Sequence, residues 1–306
     1  KGNLMNNFKA CIVTGASRGL GRGIALVLAR EEGCRVYATA RNEDALNELA
    51  RESAEGNKGG EVVPCVLDQS DDEAVQGLVD QIKSKESHLD LLVNSAYGGL
   101  VAITPHFGKR FWEKPISVFD SSLDIGLRSA YVMSALVAPM MVKNKAGLIV
   151  QISSFGGVNY LFDVGYGVGK AGLDRLTTDM AVELKPYDVH AVTLYPGAAI
   201  TEIAAFPGGE TPVFTGRAVA ALLNSTAKEE LTQMNGKVVQ TVELAHRYGF
   251  TDIDGKLPEG PFSGSDAAKQ CREAMSKPLV QYDEQAELAD SSISNNREMA
   301  AMFPGA

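Results

Sequence analysis

The segment TGASRGLG, Thr14 to Gly21, places three glycines (Gly15, Gly19, Gly21) directly after the apolar run Ala10–Val13. The residues before it, KACIVTG (9–15), read as a strand. The residues after it, GLGRGIALVLAREEG (19–33), put Ile24, Val27 and Leu28 on one helical face, with Gly33 as a C-terminal stop. Glycines between a strand and a helix remove Cβ atoms, so backbone N–H groups can approach a pyrophosphate and the helix N-terminus adds its dipole. This reading assigns Gly15, Ser17, Arg18, Gly19, Leu20 and Gly21 to a dinucleotide site.

The pattern repeats outward. CRVYATA (34–40), EVVPCVLD (61–68), LDLLVNSA (89–96), GLIVQISS (147–154) and HAVTLYPG (190–197) are further strand-like runs. Helical patterns alternate with them: one opened by Asn42, one capped by a Ser70–Glu73 box, and two near 116–143 and 165–185. Apolar strands alternating with helices predict an α/β, doubly wound Rossmann-type fold: a parallel sheet of about seven strands, helices on both faces, ligands at the carboxyl ends of the strands. One such domain is expected over 5–255, with substrate loops at 97–115 and 198–232 and a polar C-terminal extension at 256–306. Lys1–Leu4 is set aside as an expression remnant.

The 306 residues carry a net charge of −9, which argues against nucleic-acid binding. No run of about 18 apolar residues stands out and the start has no apolar signal region, so a cytoplasmic protein without a membrane span is expected. Cys11, Cys34, Cys65 and Cys271 have neither zinc nor redox-pair spacing, and are expected to be reduced core residues; no metal site is expected.

Strand ends locate the chemistry. At the end of the second strand, where an NAD site usually has an acidic residue, stand Ala40 and Arg41. Arg41 and Arg18 suit a 2′-phosphate, so NADP (NADPH) is expected and NAD is less favoured. Asp68, followed by Gln69, is placed to accept from an adenine amino group. YGVGK puts Tyr166 and Lys170 four apart on one helical face, where an ammonium and a cationic nicotinamide would lower the tyrosine's pKa. Ser153 and Ser154 end the fifth strand; alternation lets only one face the site, and Ser154 is assigned to the substrate oxygen. Pro196 and Gly197 turn the chain at the nicotinamide, with Thr201 in reach of its amide or a phosphate.

Taken together, TGASRGLG, Asp68, NSA (Asn94, Ser95, Ala96), ISS, YGVGK and PG resemble the short-chain dehydrogenase/reductases over about Phe8 to Gly255. The resemblance implies hydride transfer between a nicotinamide and a carbonyl or alcohol carbon. Ser154 would orient substrate, Tyr166 would be the acid/base, and Lys170 would hold the ribose and tune Tyr166. It also implies a homodimer or homotetramer packed through the 116–143 and 165–185 helices, with Ser129, Ala130, Gly169 and Gly172 permitting close contact. Three departures stand out. Ser95 and Tyr97 replace family residues, Tyr97 bringing a ring to the nicotinamide end or packing against the 98–115 loop. Gly126 stands where most members have a relay asparagine. The tail is polar. The expected activity is NADP(H)-dependent carbonyl reduction or alcohol oxidation on a bulky apolar or steroid-like compound, with Tyr97, Phe107, Trp112, Phe206 and Phe214 as candidate walls. The alternative is a nucleotide-sensing binding protein that has lost turnover, with Gly126 as its sign.

Overall fold

A computed structural model describes residues 8–276, apart from 56–57, 226–227, 261–262 and 264. The expectations for 5–7 and for the tail beyond 276 lie outside these residues. The strands are β1 (Ala10–Thr14), β2 (Arg35–Ala40), β3 (Glu61–Val66), β4 (Leu91–Asn94), β5 (Gly147–Ile152), β6 (Val189–Tyr195) and β7 (Val238–Gln240). All pair in parallel, in the order β3-β2-β1-β4-β5-β6-β7. The order reverses between β1 and β4, so their carboxyl ends open a crevice where such sheets bind ligands. Six strands stand out in the sequence. β7 is only three residues long, too short to show a period.

Helices cover both faces. Helix α1 (Gly19–Arg30) buries Ile24 and Leu28, and α2 (Glu43–Ser53) buries Leu46 and Leu49 in the same core. Across the sheet, α3 (Asp72–Lys85) places Val75, Val79 and Ile82 in a second core. Asn42 caps α2 by accepting from the Ala45 N–H. The expected Ser70 cap for α3 is corrected: Asp71 is the cap, accepting from the Ala74 N–H at 3.0 Å. Ser70 instead donates its N–H and hydroxyl to Asp68.

The 97–115 connection is not bare loop. It holds α4 (Gly99–Ile103) and 3-10 turns at Thr104–His106 and Phe111–Glu113. The single helix expected near 116–143 is three pieces: α5 (Ile116–Ser122), a π-like turn (Leu123–Arg128) and α6 (Ser129–Asn144). Ile125 and Gly126 have non-helical dihedrals in the turn. The run 116–144 is long and apolar enough to cross a bilayer by composition, but Met133, Val137 and Met141 of α6 lie in the second core. Helix α7 (Val164–Leu184) follows Asp163, which caps it by accepting from the Gly165 and Tyr166 N–H groups.

Helix α8 (Pro212–Leu223) packs on α1, with Gly23 against Pro212 and Gly216 against Val27. This corrects the 198–232 substrate loop: α8 belongs to the first core, and only the segment before it borders the crevice. After α9 (Lys228–Met234) and α10 (Thr241–Tyr248) comes α11 (Ser265–Met275). Ala268 and Cys271 are buried, and the Gln240 amide donates to the Ala268 carbonyl. The folded body therefore continues past 255. The small residues expected to serve a subunit contact work within the chain. A Cβ on Gly169 would lie 3.1 Å from the Ser122 carbonyl, and one on Gly172 would lie 2.7 Å from Leu127.

Candidate active site

One cavity of about 870 Å³ runs along the strand ends at the β1–β4 reversal. Gly15, Ser17, Arg18, Gly19, Leu20 and Gly21 line one end, with Arg41, Asp68 and Gln69 beyond them. Ser95, Ala96, Ser154, Tyr166, Lys170, Pro196, Gly197 and Thr201 line the rest. Of the catalytic and cofactor residues expected from the sequence, only Asn94 does not line it. It is buried one layer behind, where its amide donates to Ser134 Oγ at 3.0 Å.

The glycine turn has the shape an anion needs. Gly15 (φ 70°) and Gly19 (φ 55°) adopt left-handed backbone that side chains resist. A Cβ on Gly15 would press on Ala96 Cα at 2.7 Å, whereas one on Gly19 would meet nothing nearer than Thr201 at 3.6 Å. Gly15 thus serves packing and Gly19 leaves space. The Gly19 N–H donates to Glu202 Oε2 at 2.8 Å, so a carboxylate already stands as an anion at the α1 N-terminus. Thr14, unnoticed in the sequence, accepts from the Ser95 and Ala96 N–H groups at 3.0 and 3.1 Å and ties the β4 loop to β1. The left-handed glycines and the α1 N-terminus suit a pyrophosphate, which would take the Gly19 N–H in place of Glu202.

At the β2 end, Ala40 offers no carboxylate and the Arg41 side chain is 81% exposed, 3.9 Å from Asp68. Asp68 is held below its usual carboxyl range, first by Ser70's backbone and side-chain hydrogen bonds and then by Arg41.

The end that holds the candidate catalytic residues is built by α7 and β5. Tyr166 Oη donates to Ser154 Oγ at 2.8 Å, and Ser153 turns away, donating to the Lys170 carbonyl. Lys170 Nζ donates to the Ile152 carbonyl at 3.0 Å and lies 4.5 Å over the Tyr97 ring. Burial pushes Tyr166 up to about 12, with Ser154 opposing. Burial, rather than the neighbouring ammonium, dominates: it disfavours the phenolate, and the Tyr166 hydroxyl stands as a donor to Ser154. Burial also brings Lys170 down to about 8.

The two departures at 97 and 126 are one feature. The Tyr97 ring meets Tyr166 edge-on at 5.6 Å, and its hydroxyl donates to Ser122 Oγ at 3.2 Å. A Cβ on Gly126 would sit 2.9 Å from that ring, so glycine at 126 makes room for tyrosine at 97. Other positions show their roles only in three dimensions. A Cβ on Gly156 would overlap the Tyr166 ring. Lys114, from the long connection, pairs with the capping carboxylate Asp163, and both side chains are about 5% exposed or less. Glu210, wholly buried, accepts from the Gly197 N–H at 3.0 Å and from Thr215 and Thr241 at 2.7 Å. It holds the turn that borders the cavity.

Of the candidate walls, Tyr97 and Phe206 line the cavity, joined by Phe155 and Phe162. The others are corrected. Phe107 packs behind Phe162 at 5.8 Å, Trp112 meets Phe111 edge-on at the surface, and Phe214 is in the core against Phe250. All four cysteines are free thiols, and among the described residues no His/Cys/Asp/Glu cluster could hold a metal ion.

The comparisons give the family: a profile described as short chain dehydrogenase matches residues 9–207. The chain is 40% identical over 283 residues to mouse Dehydrogenase/reductase SDR family member 1, covering 86% of this chain and 88% of that one. A 7α-hydroxysteroid dehydrogenase complexed with NADH and 7-oxo glycochenodeoxycholic acid superposes with a TM-score of 0.65 at 26% identity, covering 76% of this chain and 92% of that one. A metagenomic short-chain oxidoreductase in complex with NADP gives 0.63 at 28%, covering 76% and 96%. The chain belongs to the short-chain dehydrogenase/reductase family, whose members bind nicotinamide cofactors and interconvert CH–OH and C=O.

Proposed function

We propose that this protein is an NADP(H)-dependent carbonyl reductase, run in reverse an alcohol dehydrogenase, acting on a bulky apolar ketone or aldehyde. The observation that carries the reading is the 2.8 Å Tyr166–Ser154 hydrogen bond facing the cavity, with Lys170 one helical turn away. Gly15 to Gly21 and Thr201 bind the pyrophosphate end, and Lys170 and Tyr166 bind the nicotinamide ribose. The bound cofactor supplies hydride for reduction or accepts it for oxidation. Ser154 Oγ donates to the substrate oxygen and fixes its direction. Tyr166 Oη gives its proton to that oxygen as negative charge develops there, and takes it back in oxidation. Lys170, as an ammonium, stabilises the phenolate left behind.

Preference for NADP(H) is supported by Ala40 in the acidic residue's usual place and by exposed Arg41 and Arg18 at the same cavity end. The apolar side chains Leu100, Leu161, Phe162, Ile203, Ala204 and Phe206 support a bulky apolar substrate, such as a steroid-like ketone. A homodimer or homotetramer is supported by exposed Tyr131, Val168 and Val182 on α6 and α7. The test follows NADPH and NADH oxidation by absorbance over aldehydes, diketones, quinones and steroid ketones. Turnover of an apolar carbonyl, with NADPH preferred, is expected. Binding of both cofactors with no turnover of any carbonyl would instead favour a nucleotide sensor.

A further inference from the structure

Below the catalytic pair, α7 carries a third polar side chain on the same face. Tyr166, Lys170 and Asp174 stand at i, i+4 and i+8, and such neighbours lie about 5–6 Å apart at Cβ. The Asp174 carboxyl is turned inward. Its Oδ2 accepts from the Tyr195 hydroxyl at the end of β6, and its Oδ1 is buried with no hydrogen-bond partner among the described residues. Room for the pair comes from Gly157: a Cβ there would overlap Asp174 Oδ2 and stand 2.8 Å from Tyr195 Oη.

A buried carboxylate with one oxygen unpartnered is costly unless an opposite charge compensates it. Lys170 is the complementary case, an ammonium buried under the Tyr97 ring that donates to the Ile152 carbonyl, its one acceptor among the described residues. The remaining groups facing Asp174 are neutral in this setting: Tyr195 from β6, Ser153 from the β5 end and Cys271 from α11. Burial pushes Asp174 up to about 7, opposed first by the hydroxyls of Tyr195 and Ser153 and then by Lys170; burial brings Lys170 down to about 8, opposed by Asp174.

We propose that Asp174, seated with Tyr195 beneath Lys170, is a positioning residue whose buried carboxylate keeps Lys170 an ammonium in the working site. It does not line the cavity and acts across one helical turn. The proposal rests on the catalytic reading of Tyr166 and Lys170 given above. Its consequence is that Lys170 would lose its proton at a lower pH if the carboxylate were neutral.

The test reads Lys170 directly. The full chain is labelled with [ε-13C]lysine, the Lys170 signal is assigned by its loss in Lys170→Arg, and its titration is followed without substrate or cofactor. In Asp174→Asn the Lys170 midpoint is expected to fall by about 1 pH unit, the low end of what an opposite charge at this range supplies. Asp174→Glu restores most of it. Tyr195→Phe, which takes a donor from the carboxylate, lowers it by less, and decides the matter should Asp174→Asn not fold. A midpoint unchanged in folded Asp174→Asn, or in Tyr195→Phe where that variant decides, would overturn the proposal. The titration answers even if no carbonyl is reduced. Loss of turnover with the Lys170 shift present would count against the proposed function and leave this inference standing.

Discussion

The two ends of the cavity are built differently. At the glycine-turn end, function sits on backbone: Gly15 and Gly19 in left-handed conformation, N–H groups at the start of α1, and an exposed Arg41. All of it comes from β1, β2 and the turns after them. At the proposed catalytic end, the site rests on contacts between distant segments. Tyr97 fills the space left by Gly126, Lys114 neutralises Asp163, and Gly157 admits Asp174 and Tyr195. Substitutions at the first end should act independently of one another, because its parts are local. The second should fail in coupled pairs.

The largest expected break of this contrast is Lys114→Met. It leaves the Asp163 carboxylate buried without its cation, and removing one partner of a buried ion pair costs about 3–5 kcal/mol. Urea unfolding should show that loss, and turnover should fall with it because Asp163 caps the helix carrying Tyr166. A loss below 1 kcal/mol would mean the loop is not anchored there.

Next is Gly126→Ala. Its Cβ would stand 2.9 Å from the Tyr97 ring, and overpacking of this kind costs about 1–3 kcal/mol. The same substitution in a Tyr97→Ala background should cost clearly less. A double-mutant cycle in which the two effects simply add would separate the departures again.

At the backbone end, Arg41→Ala is expected to weaken NADPH about 10-fold, roughly 1.4 kcal/mol, and leave NADH unchanged, as read by fluorescence titration. Equal loss for both would assign Arg41 to something other than a 2′-phosphate. The smallest effect belongs to Glu202→Gln. Its carboxylate accepts from the Gly19 N–H, so it competes with a phosphate. Removing the charge should tighten NADPH by about 2- to 3-fold, in the range of an exposed charge interaction; weaker binding would show that Glu202 helps the cofactor.

This contrast also governs what could be read without coordinates. The glycine turn, Ala40–Arg41 and Tyr166–Lys170 are short-range patterns, and a strand, a turn or one helical repeat carries each. The strand order and the cavity position follow from them by the rules of parallel sheets. Gly126 was visible as an anomaly, but its explanation, the Tyr97 ring, is a tertiary contact. Trp112 and Phe214 look alike as large aromatics, yet one is 68% exposed and the other fully buried. Nothing in their neighbours' periodicity separates a surface turn from the core. Ser70 lost the α3 cap to Asp71 by one position, a choice decided by how Asp68 and Ser70 bond to each other. Asp174 reads as an ordinary helical acid until Gly157 and Tyr195 are brought against it.

The most direct measurement takes the parent and Tyr166→Phe together and reads both ends of the cavity at once: NADPH binding by fluorescence and carbonyl reduction by absorbance. Removing the proton donor alone should leave the NADPH Kd within about 3-fold of the parent while turnover falls by about 10²–10⁴-fold. A parent that binds NADPH but reduces no carbonyl, or a Tyr166→Phe that reduces it as fast as the parent, would contradict the account.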